Sequence, residues 1–171
     1  MNIWLPYDNF YASAKCLSNV HLDELINSIV LTLKAQRKVN LKENQMHWMQ
    51  NPTVKLWKCS TVALMFYGII ATDQRMDRGF ESPMADSFLY GYEPHIYAYA
   101  SSLVVRKPTM IALQKECGLP NWFGQNKLHA SHRAALLALD IAHYSKFGWP
   151  EKPALNIYYP KKENSNATQN V

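Results

Sequence analysis

The run Val62-Ala63-Leu64-Met65-Phe66-Tyr67-Gly68-Ile69-Ile70-Ala71 constrains this chain more than any other feature. Ten residues in a row carry no charge and present apolar surface on every side. A helix of that kind is the central one of a domain, packed round by others. Asn51-Pro52 supplies a cap and a first-turn proline, so the helix is expected from there to about Arg78, stopping at Gly79. Gly68 in its middle is expected to let another backbone come close. The run is about half of what a membrane span needs, so no membrane partner is expected.

The helices that surround it are legible from their periodicity. Leu22, Leu25, Ile26, Ile29, Val30 and Leu33 fall on one face of a helix over 19–38. Ser18 or Asn19 caps it, with Asp23 and Glu24 in the first turn and Lys34, Arg37 and Lys38 at the far end, where the helix dipole favours each sign. Pro108 to Glu116 reads as a short helix stopped by Gly118, and a third long helix spans about 130–144. Between 81 and 107 the pattern dissolves, and alternation at Tyr97 and Tyr99 suggests a short strand. The fold class expected is all-α: a single compact helical domain over 1–160 with an aromatic-rich insert at about 80–118. A flexible polar tail follows at 161–171.

The 171 residues give one domain, and 18 Lys and Arg against 13 acids leave a charge of +5, compatible with an anionic partner. Cys16, Cys59 and Cys117 are odd in number and widely spaced, which argues against a disulfide framework and for a reducing, cytoplasmic setting. They read as small buried hydrophobes. No phosphate-binding glycine loop and no nucleophile elbow is present. His129-x-x-His132 sets two imidazoles one turn apart without a matching third ligand, so no metal and no cofactor is expected.

The aromatic residues are the stronger functional signal. Trp4, Trp48, Trp57, Trp122 and Trp149 lie among Lys, Asn and Gln, and Tyr90, Tyr92, Tyr97 and Tyr99 crowd into ten residues. Rings interleaved with cations and amides suit stacking and edge recognition of a base.

Several stretches carry a resemblance in order. They are Leu5-Pro6-Tyr7, Leu17 with Leu22, Asn51-Pro52-Thr53 with Trp57, and Met76-Asp77-Arg78-Gly79. Further on come Leu119-Pro120-x-Trp122-x-Gly124, His129-x-Ser131-His132-Arg133-x-x-Leu136-Leu137 and His143-Tyr144-Ser145-Lys146-Phe147-Gly148-Trp149. Over roughly 1–79 and 119–160 the chain resembles the pyrimidine-dimer DNA glycosylases, the dimer-excising endonuclease V family. The resemblance implies an all-α domain whose N-terminal amine forms a Schiff base with the damaged nucleotide. It also implies a first-helix glutamate that supports cleavage, basic residues that hold phosphates, and a site that accepts an extruded base.

Carried onto this sequence, the resemblance puts Ser28 where the family has its glutamate and Ile26 where it has arginine. Ala138-Leu139 replaces a basic pair, and Arg133 is retained. The expected protein is therefore a non-catalytic nucleotide- or base-binding one on that scaffold, sequestering a small nucleotide as a phage anti-defence protein would. Its expected ligand-binding residues are Arg133, His132, His129, Trp122, Tyr90, Tyr92, Tyr97, Tyr99, His21 and Ser28. One alternative is an active glycosylase or AP lyase, with Met1 (or Lys15) giving the amine and Glu24 the carboxylate. The other is a protein-interaction module built on the tyrosine cluster. Partners are a nucleotide or nucleic acid, with a homo-oligomer left open.

Overall fold

The chain is represented by a computed structural model that describes residues 2–37, 49–58, 60–81, 89, 91 and 93–160. Met1, Trp48, Cys59, Tyr90, Tyr92 and the tail at 161–171 lie outside the described residues. Among those described there is no strand. The helices are α1 (Phe10–Cys16), α2 (Asn19–Arg37), α3 (Pro52–Leu56), α4 (Thr61–Met76), α5 (Pro94–Arg106), α6 (Met110–Cys117), α7 (Asn126–Leu139) and α8 (Ile141–Tyr144). A 3-10 turn, Ser145–Phe147, follows α8. The all-α expectation holds, and no described helix is long and apolar enough to cross a membrane.

The apolar run is the centre, as its composition requires. Every residue from Ala63 to Thr72 on α4 is buried, and α1, α2, α5 and α6 pack against this helix. The expected continuous helix from Pro52 is interrupted at 57–60. Asn51 caps α3 through its side chain, Trp57 ends it, and α4 restarts at Thr61. The break drops Trp57 into the core, where it is 1% exposed and edge-on to Trp122 at 5.0 Å. At Gly68 it is side chains that come close, not a backbone: an added Cβ would sit 3.2 Å from the Ile29 Cγ2 and 3.3 Å from the Leu89 Cδ1.

The strand expected at Tyr97 and Tyr99 is instead the middle of α5. Pro94 opens the helix, and the buried pair Ala100 and Leu103 is spaced for a helical face. The tyrosine alternation was one part of a longer 3.6-residue pattern. Within 93–118, Ala100, Leu103, Leu113 and Cys117 all belong to the main core. Thr109 caps α6, and Gly118 ends it in the left-handed conformation at φ 59°.

The third long helix starts earlier than expected, at Asn126, and stops at Leu139. Asp140 breaks it by capping α8, its carboxylate accepting from the His143 N–H at 3.0 Å. The two described cysteines are free and buried. Burial pushes the Cys16 thiol up to about 12 and Cys117 up to about 11, so neither offers a thiolate.

Candidate functional site

The irregular segment before α1 buries Ile3, Trp4 and Leu5 in the core, and side chains satisfy part of its backbone. The Tyr67 hydroxyl donates to the Trp4 carbonyl. The His132 Nδ1 accepts from the Leu5 N–H at 3.2 Å, and the His129 Nδ1 donates to the Leu5 carbonyl at 2.8 Å. Arg133 Nη1 donates to the Pro6 carbonyl at 2.7 Å. The Ser13 hydroxyl accepts from the Tyr7 N–H and donates to its carbonyl, both at 3.1 Å. His129, His132 and Arg133 are the i, i+3 and i+4 positions of one α7 face, so a single helical stripe grips two successive residues. Buried backbone polar groups need partners, and in this irregular segment side chains supply them.

This arrangement reassigns three residues expected to bind a ligand. Burial pushes His132 down to about 3, and it lowers His129 as well, so both imidazoles are neutral and carry no charge for a phosphate. Their Nδ1 atoms face the Leu5 backbone, and among the described residues no group of three metal-binding side chains occurs. Arg133 is no free anion anchor. Its Nε and Nη2 meet Glu151 Oε1 at 3.1 and 2.7 Å while Nη1 holds Pro6, and the pair's side chains are only 13% and 14% exposed. Arg133 holds the carboxyl of Glu151 below its usual range. His129 Nε2 and Glu151 Oε2 are buried with no hydrogen-bond partner among the described residues.

The N-terminal segment also gathers His21 and Glu24. Trp4 Nε1 donates to Glu24 Oε2 at 2.9 Å, and the Trp4 ring stands edge-on to His21 at 5.6 Å and to His132 at 5.9 Å. His21 Nδ1 lies 2.9 Å from both the Ser18 and Tyr144 hydroxyls, and its pKa is lowered, chiefly by burial. Trp4 and Leu5 thus link Glu24, His21, His129 and His132, each of which is taken up by a contact within the fold. Ser28 sits apart from it as a ligand contact: it is 2% exposed, and its carbonyl accepts from Thr32 Oγ1. Ile26, at 5% exposure, is core as well, so the two first-helix positions where the resemblance implies charges are both buried here.

Trp122 has no free face for stacking. It is 6% exposed, donates through Nε1 to the Leu56 carbonyl at 3.1 Å, and borders a crevice of about 10 Å³, room for about one water. Tyr97 is half-buried against the core, and Tyr99, 40% exposed, directs its hydroxyl to Glu116. Neither lines a described cavity.

A larger open cleft lies on the other side of the Trp122 turn. It encloses about 190 Å³ and is lined by Asp8, Ile111, Gln114, Leu119, Pro120, Phe123 and Gly124. Phe123 is half-buried, packed against Phe10 at 4.9 Å and edge-on to His129 at 6.0 Å. Asp8 and Gln114, which also line it, are exposed. The Leu119-Pro120-x-Trp122-x-Gly124 turn points to this place in the sequence, but the aromatic residue that lines the cleft is Phe123 and not Trp122. Asp8 and Gln114 carry no signal in the sequence, being single polar residues far apart along the chain. No family model, curated protein or solved structure matches the chain.

Proposed function

We propose that this protein binds a nucleobase, free or as part of a small nucleoside-type ligand, and does not cleave DNA. The observation that carries the reading is the 190 Å³ cleft, whose lining includes Phe123, Asp8 and Gln114. Pockets for drug-sized ligands begin at roughly 300 Å³, while a cavity of about 150 Å³ takes one benzene ring. The cleft thus matches one planar heterocycle. An aromatic lining residue together with two polar ones is the combination that stacks a ring and reads its edge.

The absence of cleavage rests on Ser28 and on burial. The position where the resemblance implies a catalytic carboxylate holds a buried hydroxyl, 2% exposed, and Glu24, the nearest substitute on that helix face, is bonded to Trp4. Arg133, bonded to Glu151 and Pro6, is not placed to track a phosphate backbone. Calorimetry with nucleosides, together with borohydride trapping on abasic and dimer-containing duplexes, tests the reading. Nucleoside binding without a trapped adduct is expected. A trapped adduct that disappears when the N-terminal amine is blocked overturns the non-cleaving part. Absence of binding by every nucleoside overturns the rest.

A further inference from the structure

We propose that the Phe123 cleft selects amino-bearing bases in unphosphorylated form: guanine, cytosine and adenine over uracil and thymine, and nucleosides over nucleotides. This rests on the base-binding reading and adds the ligand's chemical class. Among the seven residues that line the cleft, the one charged group is the carboxylate of Asp8. A carboxylate only accepts hydrogen bonds, so it selects edges that donate.

Guanine presents a ring N–H and an amino group side by side, which a carboxylate meets in a two-pronged contact. Cytosine offers its N4 amino group to an acidic side chain, and adenine its N6 amino group. Uracil and thymine flank their single ring N–H with carbonyl oxygens, and those oxygens face the carboxylate with like polarity. Gln114 carries both a donor and an acceptor and so complements the mixed edge of an amino-bearing base without favouring the others.

The same charge disfavours a phosphate. Among the described residues, no Lys or Arg lines the cleft. His129, which borders Phe123 from the core side, has its pKa lowered by burial and adds no cation. Arg133 is neutralised by Glu151. A nucleotide brings roughly one and a half to two negative charges toward Asp8. The inference separates this cleft from a thymine-dimer site, which would need to accept carbonyl-rich bases linked through phosphates.

Isothermal titration of the full chain with guanosine, cytidine, adenosine, uridine, thymidine and guanosine monophosphate tests it. Guanosine is expected to bind at least ten-fold tighter than uridine or thymidine and at least three-fold tighter than its monophosphate. Asp8 is exposed, so Asp8→Asn keeps the fold, and it is expected to bring both ratios within two-fold of unity. Uridine or thymidine binding as tightly as guanosine, or ratios unchanged in Asp8→Asn, overturns the selectivity while leaving base binding standing. No heat with any of the six compounds at millimolar concentration overturns both. Phe123→Leu, which keeps an apolar contact to Phe10, is expected to weaken every nucleoside alike. Unchanged affinities there place binding elsewhere and overturn the assignment to this cleft.

Discussion

Replacing Arg133 by alanine separates a clamp from an anion anchor. In the folded chain the guanidinium neutralises Glu151, whose side chain is 14% exposed, and donates to the Pro6 carbonyl. Arg133→Ala leaves that carboxylate with its second oxygen already unpartnered and its counter-charge gone. Breaking a fully buried pair costs about 3–5 kcal/mol, and the residual solvent access here brings this to roughly 2–3 kcal/mol. The lost bond to Pro6 adds about 1 kcal/mol. A total of roughly 3–4 kcal/mol lowers the melting temperature of a chain this size by about 6–16 °C, at 2–4 °C per kcal/mol. Differential scanning calorimetry and urea unfolding read this directly. The Arg133→Ala, Glu151→Ala double variant is expected to be less destabilised than the sum of the singles, by roughly 1.5–3 kcal/mol for a charged hydrogen bond. A melting temperature within about 2 °C of the parent, with nucleoside affinity lost, would refute the clamp and restore Arg133 as a ligand contact.

Three further outcomes follow from the same contacts. His132 is neutral in the folded chain, with its pKa pushed to about 3, against an ordinary value of 6.5. The unfolded state therefore binds more protons across that window, and stability falls as pH drops from about 6.5. Urea midpoints at pH 7 and pH 5 should show the loss, and His132→Asn, which keeps an acceptor for the Leu5 N–H, should flatten it. Tyr67→Phe leaves the buried Trp4 carbonyl without its donor and should cost about 1–3 kcal/mol, read by urea unfolding; no change would mean another donor replaces it. The double change Ser28→Glu, Ile26→Arg inserts two charges at positions 2% and 5% exposed. It should destabilise the protein by several kcal/mol; a soluble variant with an unchanged melting temperature would show that this helix face opens to solvent.

What could be read from the sequence was set by periodicity, and what could not was set by tertiary demand. The burial of α4 followed from ten apolar residues in succession, and the start of α2 from Ser18 and its leucine spacing. The break at Trp57 did not, because an Asn-Pro start followed by apolar residues fits one helix as well as two. Tyr97 and Tyr99 misled because two residues of alternation also occur within a helix. At the site, residue types pointed to phosphate and base contacts, whereas the fold uses His129, His132 and Arg133 to satisfy its own backbone. That use is invisible in a linear reading, since the partners Leu5 and Pro6 lie more than a hundred residues away. Asp8, Gln114 and Phe123 become neighbours only when the start of the chain lies beside the turn after α6.

The gripped N-terminal segment has a consequence for how the chain reaches its fold. Helical domains usually fold fast because their contacts are local, but here Leu5 meets His132 across 127 residues and Tyr7 meets Trp149 across 142. The Trp4 contact to Tyr67 spans 63 residues. Going from that closure to the one at His132 doubles the loop, which adds only about 0.6 kcal/mol of entropy cost. The order this favours is docking of Trp4 on α4 first, followed by the stripe on α7 zipping onto a segment already in place. Until α7 arrives, the Leu5 amide has no partner, so its hydrogen exchange reports the last step of folding and the first step of opening.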